Sequence, residues 1–505
     1  MSDMLGLPRE ALDRARRSRD PRFDGKFFIA VLSTGIYCRS ICPVRLSSAV
    51  RYYTTAAEAA EAGFRPCLRC RPESAPGSPA WAGTSAVVRR ALRLIQDGVL
   101  DKGSVEDMAV HLGLGVRHLS RLLLEQVGAS PLAIAQTRRL HFAKQLLNDT
   151  ELRITDIALA AGFRSVRRFN EVIKSTYQRS PRDIRSRRSR SDEPTDEITL
   201  QLSYRPPYDW AHMLGYLARH AIPGLERVDA HGYARTIRTS TGHAVIQISQ
   251  SDTSHALAMR VSGAPPGDLF ELSSAARRVF DLSGDPDQIA HAFRHDSLLG
   301  ELIAQRPGLR IPGVFDPFES AVLAILGRQV SLDVRRALGL RLLTHSGQSI
   351  GACAEGLTHV FPAPHILAEL DMRSLGLPTP LAEAVRGLAR AVRDGVIRFN
   401  EPTEEVTRAL GKLPGIDAWT AQQVALRGLG DPDAFLASDL VLRRAAGIQG
   451  PPLTQRALEA RAEQWRPWRG YAATHLWSAS PEPMSARTSG NRVRESVKAA
   501  IAHTS

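Results

Sequence analysis

Four of the five cysteines in this 505-residue chain lie close together and could hold a metal ion. They occur as Cys38-x3-Cys42 and, 24 residues later, as Cys67-x2-Cys70. Two close pairs with this separation are typical of four thiolates around one tetrahedral centre, and in a chain without a visible secretory signal zinc is favoured over two disulfides. Iron–sulfur ligation is the main alternative. On spacing alone, the simplest interpretation is a structural zinc site that supports a small domain.

The carboxylate of Asp439, in the segment FLASDLVLRRA, is a second candidate for chemistry. Upstream of it lies the segment LPGIDAWTA, which begins at Leu413 and contains Gly415. A Pro-Gly hairpin that opens a helix exposes backbone N–H groups, and these can bind a phosphate. Taken alone, Asp439 is more simply explained as a helix cap.

The charge of the chain is unevenly distributed. Residues 1–190 hold 33 Lys/Arg and 18 Asp/Glu, whereas the remaining residues are close to neutral. A basic region of this kind is typical of proteins that bind phosphate backbones. The chain has no apolar run long enough to span a bilayer, and its polar, basic amino terminus lacks a secretory signal. The expected location is therefore the cytoplasm, in association with the nucleoid, with no membrane partner.

The length predicts roughly three or four domains, because a typical domain holds about 100 to 200 residues. The segments PESAPGSP and RSRRSRSDEPTD are predicted linkers, and a further break is expected at PGLRIPG. The predicted division is 1–76, 84–185, a linker at 186–197, 198–310, 311–480 and a tail at 481–505.

The basic segment contains a helix-turn-helix pattern. Ser104 and Asp107 are spaced as in a capping box, the apolar residues that follow keep helical spacing, and Gly113 ends the first helix. The second helix is expected to bury three leucines and to leave Arg117 and Arg121 on its outer face; the leucines are Leu119, Leu122 and Leu123.

The same pattern recurs further along the chain. Gly162 is the predicted turn, and the following helix exposes Arg167 and Arg168. One amphipathic helix pair is common in ordinary bundles. Two pairs in tandem, each with arginines on its second helix and both inside the most basic segment, favour DNA binding.

Residues 23–72, which include FFIAVLSTGIYCRSICPVR and EAAEAGFRPCLRCRP, resemble the amino-terminal domain of the Ada family. The resemblance implies one zinc ion held by the four cysteines, with Cys38 also accepting a methyl group from DNA methylphosphotriesters. Four thiolates on a divalent cation carry a net charge of −2, and methylation of one sulfur reduces this charge to −1. DNA phosphates would then be repelled less, while nearby arginines still attract them. These arginines are Arg39, Arg45, Arg69 and Arg71.

Residues 85–185, with ITDIALAAGFRSVRRFNEVIKSTYQRSPRDIR, resemble the DNA-binding domain of the AraC family. The resemblance implies that two recognition helices enter successive major-groove turns of double-stranded DNA. The arginines on the outer faces of both second helices are the expected DNA contacts. An activator of this type would also have RNA polymerase as a partner.

Residues 198–480 are similar throughout to AlkA-type 3-methyladenine DNA glycosylase II, from SYRPPYDWAHMLGYLARHA to WRPWRGYAATHLW. The resemblance implies a helix-hairpin-helix fold, Asp439 as the catalytic carboxylate, and a base pocket lined by Trp419, Trp477 and Tyr216. A desolvated carboxylate stabilises the positive charge that develops on the sugar as the base leaves. Bifunctional members carry Lys where this chain has Trp419, so strand cleavage through a Schiff base is not expected.

Three residues depart from the glycosylase pattern. Asp417 stands where the hairpin normally has Gly, which predicts weaker or metal-assisted phosphate binding. Gln329 occupies the position of the apolar wedge and is expected to fill the gap left by the flipped base. Gln423 replaces a pocket Tyr. The fifth cysteine, Cys353, lies outside any Pro-Cys-His-Arg motif, so no O6-alkylguanine transferase domain is expected.

The combined prediction is a multidomain α+β protein. It has a small four-cysteine zinc domain, an all-α tandem helix-turn-helix domain, an α+β subdomain and an all-α helix-hairpin-helix core. Methylation of Cys38 would irreversibly convert it to a sequence-specific activator, and the glycosylase would excise alkylated bases such as 3-methyladenine by hydrolysis. Two alternatives remain: a regulator with a catalytically silent glycosylase-like domain, and a zinc-stabilised activator whose Cys38 never reacts.

Overall fold

The computed structural model describes residues 8–44, 49–72, 75, 86–96, 98–185, 197–252, 254–328, 330–351, 356–447 and 450–480. Arg45, Gln329, Cys353 and the predicted tail lie outside these ranges, as does nearly all of the predicted linker at 186–197. Within the described ranges, no helix combines the length and the apolar character needed to cross a membrane.

The first group of elements is a small sheet with two helices. It consists of α1 (Arg9–Ser18), β1 (Phe28–Val31), β2 (Ile36–Arg39), β3 (Val50–Tyr53), α2 (Ala56–Glu61) and β4 (Arg65–Pro66). The sheet order is β3-β1-β2-β4, and β2 pairs with β4 in parallel, with Tyr37 opposite Pro66. Because Cys38 and Cys67 each follow the paired residue, this register brings one cysteine of each pair to the same end of the sheet.

The second group is entirely helical. It consists of α3 (Ala86–Gln96), α4 (Val99–Lys102), α5 (Val105–His111), α6 (Val116–Val127), α7 (Pro131–Asp149), α8 (Ile154–Ala160), α9 (Val166–Tyr177) and α10 (Pro181–Ile184). The predicted capping box of Ser104 and Asp107 is present at the start of α5. Gly162 has a φ of +81°, and a Cβ at this position would lie 2.8 Å from Asp101 Cγ, so the turn between α8 and α9 requires glycine.

The third group is an antiparallel sheet with helices. It consists of β5 (Glu197–Ser203), α11 (Trp210–His220), β6 (Glu226–Asp229), β7 (Gly232–Thr239), β8 (Gly242–Gln250), β9 (Ala256–Ser262), α12 (Leu269–Val279), α13 (Pro286–Phe293) and α14 (Leu299–Gln305). Its five strands are ordered β5-β9-β8-β7-β6. The alternating segments HAVIQIS and ALAMRVS form β8 and β9, as their pattern predicts.

The fourth group is mostly helical. It consists of α15 (Pro317–Leu326), α16 (Leu332–Ser346), β10 (Gln348–Ser349), β11 (His359–Val360), α17 (Pro364–Glu369), α18 (Thr379–Arg393), α19 (Thr403–Leu410), α20 (Ala418–Gln423), α21 (Leu440–Ala446), α22 (Gln455–Ala462) and α23 (Arg469–Ala479). A π-helical turn, Val424–Gly428, directly follows α20. Turns of this type are rare and are frequently found at functional sites.

The helix-turn-helix group and the antiparallel sheet share one apolar core, which sequence reasoning did not predict. Buried residues of α7 to α10 and of strands β5, β7, β8 and β9 form a single cluster. The rings of Phe142 and Phe270 lie 5.0 Å apart, and Gln145 Nε2 donates to Gln201 O at 2.9 Å. The second helix pair is therefore packed against the α+β part of the chain.

Polar contacts also join the cysteine-bearing sheet to the other groups. Arg71 pairs with Asp149 of α7 at 2.7 Å. Lys26 pairs with Asp285 at 2.9 Å, and both of these side chains are at most one-tenth exposed. Ion pairs of this burial require defined geometry, because each charge has lost its water.

Candidate zinc centre and base pocket

The four cysteines meet at one centre. The Sγ atoms of Cys38, Cys42, Cys67 and Cys70 all lie within 4.8 Å of one another, and each cysteine is buried. Tetrahedral zinc with Zn–S bonds of about 2.3 Å places its sulfurs about 3.8 Å apart, so the cluster fits this ion. The backbone N–H groups of Arg39 and Arg69 donate to the sulfurs of Cys70 and Cys67, each at 3.4 Å.

Arg39 does not have the role that the sequence predicted. Its side chain is buried, its Nε donates to Asp24 Oδ1 at 2.8 Å, and its NH1 donates to Cys70 O at 3.2 Å. A second hydrogen bond joins its NH2 to the other Asp24 oxygen. The guanidinium is thus committed to supporting the cysteine loop, and the prediction that Arg39 contacts DNA phosphate is corrected.

The other arginines near the centre differ in exposure. Arg69 is exposed, whereas Arg71 is half-buried and holds Asp149. Arg71 also has a φ of +55°, which is uncommon for a residue with a side chain. The structure therefore presents Arg69 to solvent and uses Arg71 to join the cysteine loop to α7.

The predicted recognition arginines lie on the surface. Arg117 and Arg121 on α6, and Arg167 and Arg168 on α9, are exposed. Beneath them, Leu119, Leu123 and Phe169 are fully buried, while Leu122, which was expected to be buried, is only partly covered. Arg167 pairs with Glu171 at 3.1 Å. A surface pair of this kind is weak, so it leaves these arginines able to turn towards DNA.

A cavity of about 120 Å³ lies between α11, α15, α16 and α20. Tyr216 and Trp419, both predicted pocket residues, contribute to its wall, together with Gln423 and Arg427. On another side, Glu319 pairs with Arg235 at 2.8 Å. Burial raises the pKa of the Glu319 carboxyl to about 7, although Arg235 opposes the shift.

Asp439 is held beside the third predicted pocket residue. It is 4% exposed and caps α21, because its Oδ1 accepts a hydrogen bond from Leu442 N at 3.1 Å. The same oxygen accepts a hydrogen bond from Trp477 Nε1 at 3.3 Å. The carboxylate is thus both the helix cap that its position suggests and a fixed charge against an indole ring.

Arg427 links Trp477 to the cavity. Its guanidinium carbon lies 5.3 Å from the centre of the Trp477 ring and 4.7 Å from the centre of the Tyr216 ring. Tyr216 is also stacked on His220, with ring centres 4.0 Å apart. Sequence reasoning missed Arg427. The available signal was its spacing of four residues from Gln423, which places both residues on one side of the same helix.

The hairpin that contains Gly415 is held by hydrogen bonds and an ion pair within the chain. Gly415 has a φ of +84°, and its carbonyl accepts a hydrogen bond from Arg328 NH1 at 2.8 Å, while Leu413 at the start of the turn is half-buried. Asp417 caps α20 by accepting from Thr420 N at 2.8 Å, and its other oxygen lies 3.2 Å from Arg328 Nε. Asp417 is therefore both a helix cap and the ion-pair partner of Arg328.

Three domain families match the sequence. The Metal binding domain of Ada matches residues 11–73, a Helix-turn-helix domain matches 108–187, and the AlkA N-terminal domain matches 199–316. A "Probable bifunctional transcriptional activator/DNA repair enzyme AlkA" from Mycobacterium tuberculosis is 40% identical over 94% of this chain and 96% of its own length. The chain belongs to this AlkA family.

Two relatives from Escherichia coli each match a part of this AlkA-family chain. DNA-3-methyladenine glycosylase 2 is 35% identical over 55% of the chain and 95% of its own length. The bifunctional transcriptional activator/DNA repair enzyme Ada is 37% identical over 29% of the chain and 40% of its own length. The AlkA-family chain is thus a DNA repair and adaptive-response regulatory protein with glycosylase and Ada-type domains. It binds DNA and, through its four cysteines, zinc.

Proposed function

We propose that the chain excises alkylated bases such as 3-methyladenine by monofunctional hydrolysis, with Asp439 as the catalytic carboxylate. The observation that carries this proposal is a buried carboxylate fixed against Trp477, which Arg427 connects to a cavity lined by Tyr216 and Trp419. A flipped nucleotide needs such a cavity, and the charge on its sugar needs such a carboxylate.

The reaction requires no amine nucleophile. The bond between C1′ and the base breaks with its electron pair on the base, and positive charge develops on the sugar. Asp439 stabilises this charge or orients the water whose oxygen then bonds to C1′. The hydrogen bond from Trp477 and the cap of α21 hold the carboxylate in one orientation, so little reorganisation is needed during the reaction.

Methyl transfer is proposed for the cysteine centre. Cys38 Sγ would attack the methyl carbon of a phosphotriester, forming a sulfur–carbon bond. The carbon–oxygen bond breaks with its electron pair on the phosphate oxygen, which leaves an ordinary phosphodiester. Bound zinc keeps the four sulfurs deprotonated at neutral pH. The loss of one negative charge would then favour DNA binding by the exposed arginines of α6 and α9, and so activate transcription.

One incubation tests both activities. The full chain is mixed with duplex DNA that carries labelled methyl groups, and released bases and protein-bound label are measured in the same sample. Asp439→Asn should lower base release by about 10²-fold or more while methyl uptake continues. This variant is well matched, because asparagine can still cap α21 and accept the hydrogen bond from Trp477. Cys38→Ala should abolish methyl uptake and leave base release intact.

Each readout can fail separately. Base release that persists in Asp439→Asn would assign the carboxylate role to another residue. An absence of base release by the unaltered chain would instead favour the regulator with a silent glycosylase-like domain. Methyl uptake by Cys38→Ala would exclude Cys38 as the acceptor.

A further inference from the structure

The Arg328 side chain joins the loop that follows α15 to the hairpin that precedes α20. Its NH1 donates to Gly415 O at 2.8 Å, and its Nε lies 3.2 Å from Asp417 Oδ2. Both of the joined segments continue into the wall of the proposed base pocket, to which the loop contributes Val330 and α20 contributes Trp419. The guanidinium of Arg328 therefore lies beside this pocket, between two parts of its wall.

The Asp417 carboxylate occupies a backbone group that a phosphate could otherwise use at this hairpin. Its Oδ1 accepts hydrogen bonds from Thr420 N at 2.8 Å and from Thr420 Oγ1 at 2.7 Å, and its Oδ2 faces Arg328. A glycine at position 417 would leave this N–H open, whereas the carboxylate covers it and also repels a phosphate. A metal ion at this carboxylate would have to displace either the cap or the guanidinium. Phosphate binding at the hairpin therefore needs a cation of the chain itself, and Arg328 supplies one there.

Arg328 retains hydrogen-bond donors for a phosphate. Its side chain is 29% exposed, and among the described residues its NH2 has no hydrogen-bond partner. The edge of a guanidinium formed by NH1 and NH2 can hold two oxygens of one phosphate. The carboxylate of the ion pair is itself 43% exposed, so the pair is weak in water and leaves Arg328 able to bind a second anion.

The position of Arg328 also places it close to the DNA backbone of a bound substrate. A nucleotide whose base enters the cavity keeps its phosphates outside it. Arg328 directly precedes Gln329, the residue expected to fill the gap that the base leaves in the duplex. Because the pocket wall and this expected wedge both adjoin Arg328, the phosphates next to the flipped nucleotide are expected beside its side chain.

We infer that Arg328 is a further DNA-binding residue of the glycosylase part, which binds a backbone phosphate next to the flipped nucleotide in place of a metal ion or the capped N–H at the hairpin. This inference rests on the proposed glycosylase activity. The hydrogen bond from NH1 to Gly415 O keeps the guanidinium in position, while Asp417 lowers the affinity because its carboxylate shares the guanidinium with the phosphate.

The test measures how the full chain engages a short damaged duplex at several salt concentrations. A duplex of about 12 base pairs spans little more than one helical turn, so the two helix-turn-helix units cannot both occupy it. The duplex is treated with a labelled methylating agent, and release of labelled 3-methyladenine is followed with the protein in excess. Each protein yields a rate at saturation and a half-saturating concentration, and the salt dependence of the half-saturating concentration reports the number of phosphate contacts.

Arg328→Gln should raise the half-saturating concentration about tenfold at low salt and lower the slope of its logarithm against log salt by about one. The rate at saturation should stay within about threefold, because a phosphate contact holds the substrate and the transition state equally. The glutamine amide can still donate to Gly415 O, so the hairpin keeps a hydrogen bond. Arg328→Lys keeps the charge and should retain the slope. An unchanged slope in Arg328→Gln overturns the inference even if the affinity falls, since a purely structural role does not alter the number of phosphate contacts.

Arg393→Gln is the matched control for the loss of one positive charge. Arg393 lies at the carboxyl end of α18 and pairs with Glu369, whereas Gly415 of the hairpin lies against Ala384, nine residues earlier in the same helix. This variant should leave both the half-saturating concentration and the slope unchanged. A slope reduced as much as in Arg328→Gln would mean that any lost charge has this effect, and the assignment of a phosphate contact to Arg328 would be wrong.

Asp417→Asn distinguishes Arg328 from a metal ion. Asparagine can still cap Thr420 N, and the half-saturating concentration should fall by about threefold or more, because the whole charge of Arg328 becomes available to the phosphate. If Asp417 held a metal ion at the phosphate, the same variant would raise this concentration, and the inference would be refuted. If the unaltered chain releases no 3-methyladenine, the proposed glycosylase function fails and the inference fails with it. Release that requires Asp439, with an unchanged slope in Arg328→Gln, removes only the role of Arg328.

Discussion

The cysteine centre and the base pocket each contain a buried arginine, and the two arginines have different neighbours. Arg39 has its carboxylate partner, Asp24, at hydrogen-bond distance. Arg427 has two aromatic rings and one backbone carbonyl around it. A buried charge without a counter-charge destabilises the folded state, whereas a buried ion pair can leave the free energy of folding almost unchanged. The paired arginine therefore serves structure, and Arg427, for which the described residues supply no counter-charge, is the one expected to act on a ligand.

The largest effect on structure and metal content should follow from removing a zinc ligand at the cysteine centre. Cys42→Ala should lose its zinc, because apparent zinc-binding energies of about 10–16 kcal/mol depend on the complete ligand set. Metal content and amide hydrogen exchange of the amino-terminal sheet should both change, while base release stays within about threefold, since distant sites are usually independent.

Cys353→Ala, which alters the fifth cysteine, is the matched control and should keep the zinc. A loss of base release as large as the loss of zinc would show that the two regions are coupled. The contacts available for such coupling are Lys26 with Asp285, and Arg205 Nε with the carbonyl of Asp24 at 3.0 Å.

Removing the counter-charge of Arg39 tests the comparison directly. Asp24→Asn leaves Arg39 buried without a carboxylate, so the free energy of unfolding of the cysteine-bearing sheet should fall by about 3 kcal/mol. Denaturant unfolding of the zinc-loaded chain, followed by a probe in this sheet, measures the change. Unfolding that is unaltered in Asp24→Asn would mean that the guanidinium is solvated, and the distinction between the two arginines would weaken.

Sequence reasoning located the cysteine centre better than the pocket, for a physical reason. Zinc ligands are few, chemically distinctive and close in sequence, and the parallel pairing of β2 with β4 completes the site. The start of α5 was also predictable from neighbouring residues, because the capping box of Ser104 and Asp107 spans only four positions. The pocket wall is assembled from residues 216 to 427, and no local pattern indicates that Arg427 lies over Tyr216.

Burial also reversed one expectation at the cysteine centre. A basic residue beside a proposed DNA-reactive sulfur suggests phosphate binding, but Asp24, fifteen residues before Arg39, accepts its hydrogen bonds. Nothing in the spacing of these two residues distinguishes an internal pair from two exposed charges. The shared core of α7 to α10 with the antiparallel sheet was missed for the same reason, because amphipathic faces do not specify their partners.

Acid should weaken the pocket region through His475, which lies on α23 with Trp477. Burial, followed by Arg306 and His212, lowers the pKa of His475 to about 4 from an ordinary value of 6.5. The folded state therefore binds fewer protons than the unfolded state between these values, and stability is lost as pH falls from 6.5 towards 4. Between pH 7 and pH 5 this loss amounts to about 2 kcal/mol for one group.

The glutamine variant isolates this contribution, because His475→Gln does not titrate. Its free energy of unfolding should fall less than that of the unaltered chain over the same pH range, when both are measured by denaturant unfolding. Protonation of the zinc ligands affects both proteins equally and cancels in the difference. An equal loss of unfolding free energy in the two proteins would show that His475 does not cause the pH dependence.

The smallest change in stability is expected at Arg427, beside which the described part of the chain places no counter-charge. Arg427→Met removes one hydrogen bond, to Pro312 O, and also removes a desolvated charge, so the two effects oppose each other. Methionine is flexible, apolar and favourable beside aromatic rings, and it can fill the space between Tyr216 and Trp477. The free energy of unfolding should therefore change by at most about 1 kcal/mol, in contrast with Asp24→Asn. Destabilisation of Arg427→Met as large as that of Asp24→Asn would show that Arg427 is as structural as Arg39, and the contrast between the two regions would disappear.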